Sequence, residues 1–149
     1  MSDFNRQHVS LEQMASSSLA LPPEWSVAAI EWEVPLKVLQ IRLSPSRTAK
    51  WQCAVCSRPA PLYDVLEKTW RHLDLWSFES WVHASIPRTN CPTHGVRATL
   101  VPWAEPRSRL TRQLADLATA LLRQHPVGTA ASVLRLSWDQ AKRLKQKSE

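Results

Sequence analysis

Two short motifs, each with a pair of potential metal ligands two residues apart, constrain this chain more than any other feature. They are Cys53-Ala-Val-Cys56 and Cys91-Pro-Thr-His94, and together they use all three cysteines of the protein. Zinc favours four thiolate or imidazole ligands in a tetrahedron, and a two-residue gap lets one tight turn present two of them to one ion. The sequence therefore predicts one structural Zn2+ ion held by Cys53, Cys56, Cys91 and His94.

Two other interpretations of the cysteines stay open from the residues alone. The first is three unrelated buried cysteines and a loop histidine, but Pro92 and Gly95 provide the turn chemistry of a zinc knuckle. The second is a redox Cys53-x-x-Cys56 pair, which would leave the second motif unexplained. An odd number of cysteines also argues against a closed disulfide framework.

The surplus of positive charge lies entirely in the last part of the chain. Residues 1–106 contain ten basic and ten acidic residues, whereas residues 107–149 contain nine basic and three acidic residues, which gives the formal net charge of +6. Such an asymmetry is typical of a surface that binds a polyanion. A basic tail that only improves solubility is the alternative.

The sequence lacks the features of a membrane or exported protein. No apolar stretch approaches the roughly 20 residues of a membrane-spanning helix. The N-terminus has no basic start followed by an apolar core, as a secretory signal would have. With free thiols and no export signal, the protein is predicted to be cytoplasmic, without a membrane partner.

The hydrophobic pattern predicts an α+β fold whose first part is rich in strands. Period-two alternation predicts strands over residues 25–33, 36–43, 70–76 and 81–88, with a last extended piece over residues 99–104. A turn at residues 33–35 would join the first two strands as a hairpin. Because aliphatic residues and glycines are scarce here, the tryptophans are expected to fill the core. Residues 25–104 are therefore interpreted as a small, zinc-stabilised antiparallel β domain.

The segment before the first strand is expected to form a mobile or loosely docked leader over residues 1–24. A short helix is predicted over residues 10–19, and Pro22-Pro23 ends it because proline cannot continue a helix.

After Glu105-Pro106 the periodicity becomes helical, and residues 105–149 are predicted to form a three-helix, helix-turn-helix segment. The first helix is expected over residues 110–124 and the second over residues 127–134. Ser137 is a favourable N-cap for the third helix. The apolar residues predicted to face inward are Leu110, Leu114, Leu117, Ala118, Leu121, Ala130, Ala131, Val133, Leu134, Trp138, Ala141 and Leu144.

The outer face of the third helix is predicted to contact double-stranded DNA. Arginine suits the O6 and N7 atoms of guanine, and glutamine suits the N6 and N7 atoms of adenine, so Arg143, Gln140 and Lys147 are expected at base edges. Lys142, Lys145 and the arginines near residues 107–112 are expected at phosphates. The predicted DNA-binding residues are Arg107, Arg109, Arg112, Ser137, Gln140, Lys142, Arg143, Lys145 and Lys147.

Several motifs occur in an order that resembles a known family. They are Cys53-x-x-Cys56, Trp70-Arg-His-Leu-Asp74, Pro87-Arg-x-x-Cys91-x-x-His94-Gly-Val96, Val101-Pro-Trp-Ala104, Ser108-Arg-Leu-Thr111 and Leu136-Ser-Trp-Asp139. Together they are similar to the N-terminal region of the ISL-three family of bacterial insertion-sequence transposases. The resemblance implies a small zinc-binding domain with those four ligands and then a helix-turn-helix segment. It also implies that the helix after Ser137 reads the terminal repeats of the element.

Two positions depart from the pattern of this family, because Ser57 and Arg135 stand where its members usually have glycine. A left-handed backbone there would cost a residue other than glycine roughly 1 kcal/mol. The catalytic acidic-triad domain of the family is also missing from the sequence, and the thirteen acidic residues are scattered. The polypeptide is therefore predicted not to be an enzyme.

The preferred hypothesis is a DNA-binding, non-catalytic part of a transposase, nucleoid-associated and without a small-molecule substrate. The alternative is a zinc-stabilised protein-interaction module that regulates a full-length transposase, or that binds a second copy of itself. A small zinc nuclease with His72 or His83 as base is disfavoured, because neither histidine has a partner at ligand spacing.

Overall fold

The computed structural model describes residues 8–148, which form an α+β structure. Within that range the helices are α1 (Leu11–Leu19), α2 (Arg112–Leu122), α3 (Val127–Leu134) and α4 (Trp138–Ser148). The strands are β1 (Trp25–Glu33), β2 (Val38–Pro45), β3 (Leu62–Leu75), β4 (Phe78–Cys91) and β5 (Gly95–Ala98). A single 3-10 turn, Val34–Leu36, joins β1 to β2.

The five strands form one mixed sheet in the order β1-β2-β4-β3, and β5 also pairs with β4. The pairs β1–β2, β3–β4 and β4–β5 are antiparallel, whereas β2 and β4 run parallel with Ile41 opposite Val82. The prediction of a purely antiparallel sheet is therefore wrong. The sheet is mixed because β3 and β4 form a long hairpin and the strand of that hairpin beside β2 is β4, which runs parallel to it.

Two hairpins, β1–β2 and β3–β4, form most of the sheet. The predicted β1–β2 hairpin is confirmed, with its turn at Val34–Leu36. The strands β3 and β4 are each 14 residues long, which exceeds the prediction, and a two-residue turn joins them. Trp76 and Ser77 in that turn both have positive φ, as a tight hairpin of right-handed twist requires.

The piece around residues 99–104 differs from its prediction. It is not a strand but an irregular segment with a turn, and it follows β5, which the sequence analysis did not predict. Trp103 is nevertheless fully buried. Its indole lies edge-on to Trp25 (ring centroids 4.7 Å apart) and to Trp70 (5.2 Å), so this segment closes the core.

The core lies on one face of the sheet. Leu39, Ile41 and Val82 are fully buried there, because alternate side chains of a strand point to the same face. The expectation that tryptophans fill the core is confirmed for Trp25, Trp70 and Trp103. It is wrong for Trp32 and Trp76, which stack on each other at the exposed end of the sheet.

The helix α1 packs on the same face of the sheet as the tryptophans. It begins after Ser10, which forms a capping box with Gln13, so the predicted helix is confirmed. Ala15 and Leu19 are buried in the core, which corrects the expectation of a mobile or loosely docked leader for the part that the structure describes. The first seven residues of the predicted leader lie outside the described residues.

The helices α2, α3 and α4 pack against one another and against the sheet. Leu110, Leu114 and Leu134 share an apolar cluster with Leu73 of β3. The backbone of Leu110 also forms a parallel bridge with Arg71 in β3. Three residues predicted to face inward are exposed instead, and these are Leu117, Val133 and Trp138. Across residues 8–148, no helix combines the length and the apolar character that crossing a bilayer needs.

Candidate metal centre and nucleic-acid interface

The structure brings the two cysteine motifs together at one end of the sheet. The Sγ atoms of Cys53, Cys56 and Cys91 and the Nδ1 atom of His94 lie within 4.8 Å of one another. Cys53 and Cys91 are buried, and Cys56 and His94 are half-buried. Cys91 ends β4 and β5 begins at Gly95, so a tight turn between two paired strands presents the second pair of ligands. These four side chains form a group that could hold a metal ion.

The spacing of the four ligand atoms fits a tetrahedral ion. Two sulfurs that are each about 2.3 Å from zinc lie about 3.8 Å apart at the tetrahedral angle, and a sulfur and a nitrogen lie about 3.5 Å apart. The distance between the sulfurs of Cys56 and Cys91 is 3.8 Å. His94 Nδ1 is 3.6 Å from the sulfur of Cys91 and 3.7 Å from that of Cys53. These three distances match those around a tetrahedral ion, and all four ligand atoms lie within 4.8 Å of one another.

Backbone hydrogen bonds shape the first of the two turns. The amide of Val55 donates to Cys53 Sγ (3.4 Å), and the amide of Ser57 donates to the carbonyl of Cys53 (2.9 Å). Ser57 has φ 61°, the left-handed conformation that glycine adopts more easily. In the second turn the left-handed position is Gly95, with φ 73°. The missing glycine at position 57 thus places strain in the first turn only.

The environment of the thiols favours ligation at Cys91. Hydrogen bonds from the backbone amides of His94 and Thr93 lower the pKa of Cys91 to about 6, because they stabilise the thiolate. The pKa of Cys56 is raised: the backbone of Arg58 lowers it, but burial and the neighbouring thiols outweigh that effect. The Cys91 thiolate and the neighbouring thiols thus form a site at which a soft cation would bind and displace the thiol protons.

In the helix α4, Lys142, Arg143 and Lys147 are exposed to solvent and Lys145 is half-buried. Ser137 Oγ accepts from the amide of Gln140 (3.1 Å), and the side chain of Gln140 accepts from the amide of Ser137 (3.0 Å), which forms a capping box. Ala141 is buried against α2 and α3. The residues Lys142, Arg143, Lys145 and Lys147 form no ion pair with an acidic residue in the range 8–148.

Trp138 is a surface residue that the sequence analysis assigned to the core. Half of its side chain is exposed, and the Nζ atom of Lys142 lies 4.8 Å from its ring centroid. This cation–π contact explains the exposure, because the indole packs under a lysine rather than under another helix. The spacing of Trp138 and Lys142 could have predicted this contact from the sequence, since residues four apart are neighbours on a helix.

The turn between α3 and α4 is attached to the β3–β4 hairpin. Arg135 adopts the left-handed conformation (φ 56°, ψ 39°), which glycine, the usual residue here in the family, would adopt with less strain. Its NH1 donates to the carbonyl of Ser77 (3.2 Å), and its Nε lies 3.7 Å from a carboxylate oxygen of Asp74. The side chain of Arg135 thereby binds the hairpin and offsets part of the cost of the strained backbone.

Arg71 is the second contact between the sheet and this turn, and the sequence analysis did not identify it. Its guanidinium is 4% exposed and pairs with Asp74 (2.9 Å) and Glu79 (3.1 Å). It also donates to the carbonyl of Arg135 (3.2 Å) and lies over the ring of Trp81. A buried cation with two carboxylates is fixed in position, so the orientation of the α3–α4 turn is tied to the sheet.

The three arginines expected to bind phosphate lie around the start of α2. Arg107 and Arg109 are exposed on the loop before the helix. Arg112 is also exposed, but it pairs with Glu105 and donates to the carbonyl of Pro102. The amide of Arg71 donates to the carbonyl of Arg109 (2.8 Å), which anchors this loop on β3.

The two histidines considered as catalytic bases lie away from the cluster. His72 is fully buried between the hydroxyls of Ser18 (2.8 Å) and Thr111 (2.7 Å), and burial lowers its pKa to about 4. His83 contacts Gln40 and Thr69 on the other face of the sheet. Both therefore have structural partners.

The structure thus combines a cluster of potential soft metal ligands on the sheet with a basic helix that follows a fixed turn. Residues 100–144 match the family model described as the helix-turn-helix domain of transposase family ISL3. The resemblance to this family is therefore confirmed for this segment.

Two curated relatives point to the same family. Both are described as the transposase for insertion sequence element IS1557, one from Mycobacterium tuberculosis strain CDC 1551 / Oshkosh and one from strain ATCC 25618 / H37Rv. Each is 31% identical to this chain over 99 residues, which is 65% of this chain and 22% of the relative. The chain thus spans about a fifth of the length of these relatives. No solved structure gives a significant match.

Proposed function

We propose that this protein binds the terminal repeats of an insertion sequence as the DNA-binding part of a transposase, in the bacterial cytoplasm at the nucleoid. The observation that carries the proposal is the basic outer surface of α4, whose cations are free of acidic partners within residues 8–148. The family match over residues 100–144 supports it. The proposed role is recognition without strand cleavage.

In this proposal α4 is the recognition helix and enters the major groove of duplex DNA. Arg143 would donate to a guanine edge, with Lys147 one turn further along. Gln140 caps its own helix through its carbonyl oxygen, so only its amide N–H groups remain for an adjacent base or phosphate. Lys142, Lys145, Arg107 and Arg109 would bind phosphates and fix the register of the helix on the duplex.

The metal in the proposal is one Zn2+ ion held by Cys53, Cys56, Cys91 and His94. The three thiols and one imidazole are soft and borderline donors, which favour zinc over magnesium or calcium. The ion would act as a crosslink between the loop after β2 and the β4–β5 turn. Its role is structural because all four positions are filled by protein ligands.

The test is a salt titration of DNA binding. With about six phosphate contacts, the logarithm of the association constant should fall against the logarithm of the salt concentration with a slope of about −5. Arg143→Ala should weaken binding and relax sequence preference. Arg123→Ala is the matched control, because Arg123 is exposed in the same basic segment but lies at the end of α2. Binding that does not respond to salt would refute the proposal.

A second candidate function, a protein-interaction module for a transposase chain, is favoured by one surface. Trp32 and Trp76 stack with ring centroids 6.2 Å apart, and Val34 and Leu36 beside them are 62% and 72% exposed. Apolar surface of this kind favours protein contacts. Light scattering after size-exclusion chromatography tests it: Trp76→Ser should abolish an assembly with a full-length transposase if this function is correct.

A further inference from the structure

A groove of about 700 Å³ lies between the first cysteine turn, the strands β3 and β4, and the loop that leads to α2. Its floor is apolar and includes Trp70 and Ile86. Val55, beside the metal cluster, forms one wall, and the loop around Ser108 forms another. The groove thus joins the sheet to the segment that matches the helix-turn-helix family.

Four exposed cations line this groove, namely Lys68, Arg97, Arg107 and Arg109. None of them forms an ion pair with a carboxylate of residues 8–148. The two acidic residues on the groove are already neutralised, because Glu67 pairs with Arg42 and Glu105 pairs with Arg112. The lining residues thus carry four positive and two negative charges, a net charge of +2 that favours an anionic ligand.

The cations are held on rigid backbone. The carbonyl of Arg109 accepts from the amide of Arg71 in β3, and Ser108 Oγ accepts from the amide of Leu110 (3.1 Å). Arg97 lies in β5 next to the metal cluster and donates from Nε to the carbonyl of His94 (3.2 Å). Thr99 also lines the groove, and its buried hydroxyl has no hydrogen-bond partner within residues 8–148. These features leave donors ready for an anionic ligand.

We propose that this groove is a second DNA-contact surface, which holds the sugar–phosphate backbone of the duplex beside the stretch that α4 reads. The inference rests on the proposed DNA-binding function and extends it to the zinc-bearing sheet. A regular row of phosphates matches cations that come from three separate strands and loops, and a phosphate oxygen accepts from the guanidinium groups of arginine and the ammonium group of lysine.

The strand β3 sets the reach of this second surface. Lys68 lies six residues before Asp74, which contacts the turn between α3 and α4. At about 3.3 Å per residue, Lys68 lies roughly 20 Å from that turn along the strand, whereas Arg109, hydrogen-bonded to Arg71, lies about half as far. Because one base pair rises about 3.4 Å, a duplex that runs along β3 would gain contacts up to about six base pairs away from that turn.

The test compares the wild type, a groove variant and a control variant on a fluorescein-labelled, mixed-sequence duplex of about 24 base pairs. Lys68→Ala/Arg97→Ala should lower affinity at least about tenfold at 0.1 M salt and make the salt slope shallower by about 2, since each lost phosphate contact contributes about 0.9. The matched control is Arg47→Ala/Lys50→Ala, which removes one arginine and one lysine that do not line the groove and should leave both quantities unchanged. Metal content and circular dichroism verify folding, and Lys68→Gln/Arg97→Gln replaces a variant that misfolds.

The outcomes separate this inference from the proposed function. If Arg143→Ala weakens binding and the groove variant does not, the second surface is refuted and the recognition helix stands. If the wild-type protein does not bind the duplex, the proposed function fails and the inference fails with it. If the groove variant loses binding to polyglutamate but keeps wild-type DNA affinity, the groove binds acidic peptides and the inference is wrong.

Discussion

Lowering the pH should weaken the junction of α1, β3 and α2, because His72 is buried there in its neutral form. Its ring nitrogens contact the hydroxyls of Ser18 and Thr111, and Thr111 is also the N-cap of α2. Burial lowers the pKa of His72 to about 4, whereas the ordinary value in an unfolded chain is about 6.5. A proton taken up below pH 6.5 therefore favours the unfolded state.

The magnitude follows from that interval. Above about pH 6.5 the histidine is neutral in both states and does not contribute to pH dependence. Between about pH 6.5 and pH 4 the free energy of unfolding should fall by about 1.4 kcal/mol per pH unit, or about 3 kcal/mol in total. Below about pH 4 the histidine is protonated in both states, and it no longer changes the free energy of unfolding. This is a large share of the 5–15 kcal/mol of an ordinary domain.

The assay is urea unfolding at a series of pH values, followed by tryptophan fluorescence. His72→Gln should be less stable than the wild type at pH 7, but its stability should fall less between pH 6.5 and 4, so that the two curves converge. Protonation of the metal ligands affects both proteins and cancels in the difference. His125→Gln, at an exposed position, is the control. Parallel curves for the wild type and His72→Gln would refute the reasoning.

Three further substitutions test the stability of the same framework. Cys91→Ser should abolish stoichiometric zinc in elemental analysis and reduce the near-UV circular dichroism of the core tryptophans, and an unchanged spectrum would contradict a structural role. Arg71→Met should destabilise the protein by about 1.5–3 kcal/mol in urea, because Asp74 and Glu79, each 30% exposed, lose their buried partner; a loss below about 0.5 kcal/mol would contradict this. Arg135→Gly should change thermal stability by no more than about 1 kcal/mol, since relief of the left-handed strain offsets the lost contacts with the hairpin.

The features that could be predicted from the sequence are those that depend on neighbouring residues. Two-residue spacings predicted the four candidate ligands that the structure brings together, and the Ser137 cap predicted the start of α4. The left-handed backbone at Ser57 and Arg135 was also predictable, because glycine was expected at both positions. Each of these features is determined by residues within a few positions of one another in the sequence.

The features that could not be predicted depend on distant pairing. Whether β2 lies beside β3 or β4 is decided by the whole sheet, so the parallel pair was missed. In the sequence Arg71 resembles any other strand residue. Its role depends on contacts with Glu79 and with the carbonyl of Arg135, which only the folded structure brings close. Trp138 has the spacing of a core residue, and only its contact with Lys142 explains why it stays at the surface.

The bridge between Arg71 and Leu110 has a consequence for protein engineering. The polypeptide that enters α2 extends the ladder of β3, and Leu73 of the same strand covers Leu110 and Leu134. Grafting residues 105–148 onto a foreign scaffold would expose those leucines to solvent. It would also remove the contacts of the β3–β4 hairpin with the α3–α4 turn. A transplantable cassette would have to include the β3–β4 hairpin as well.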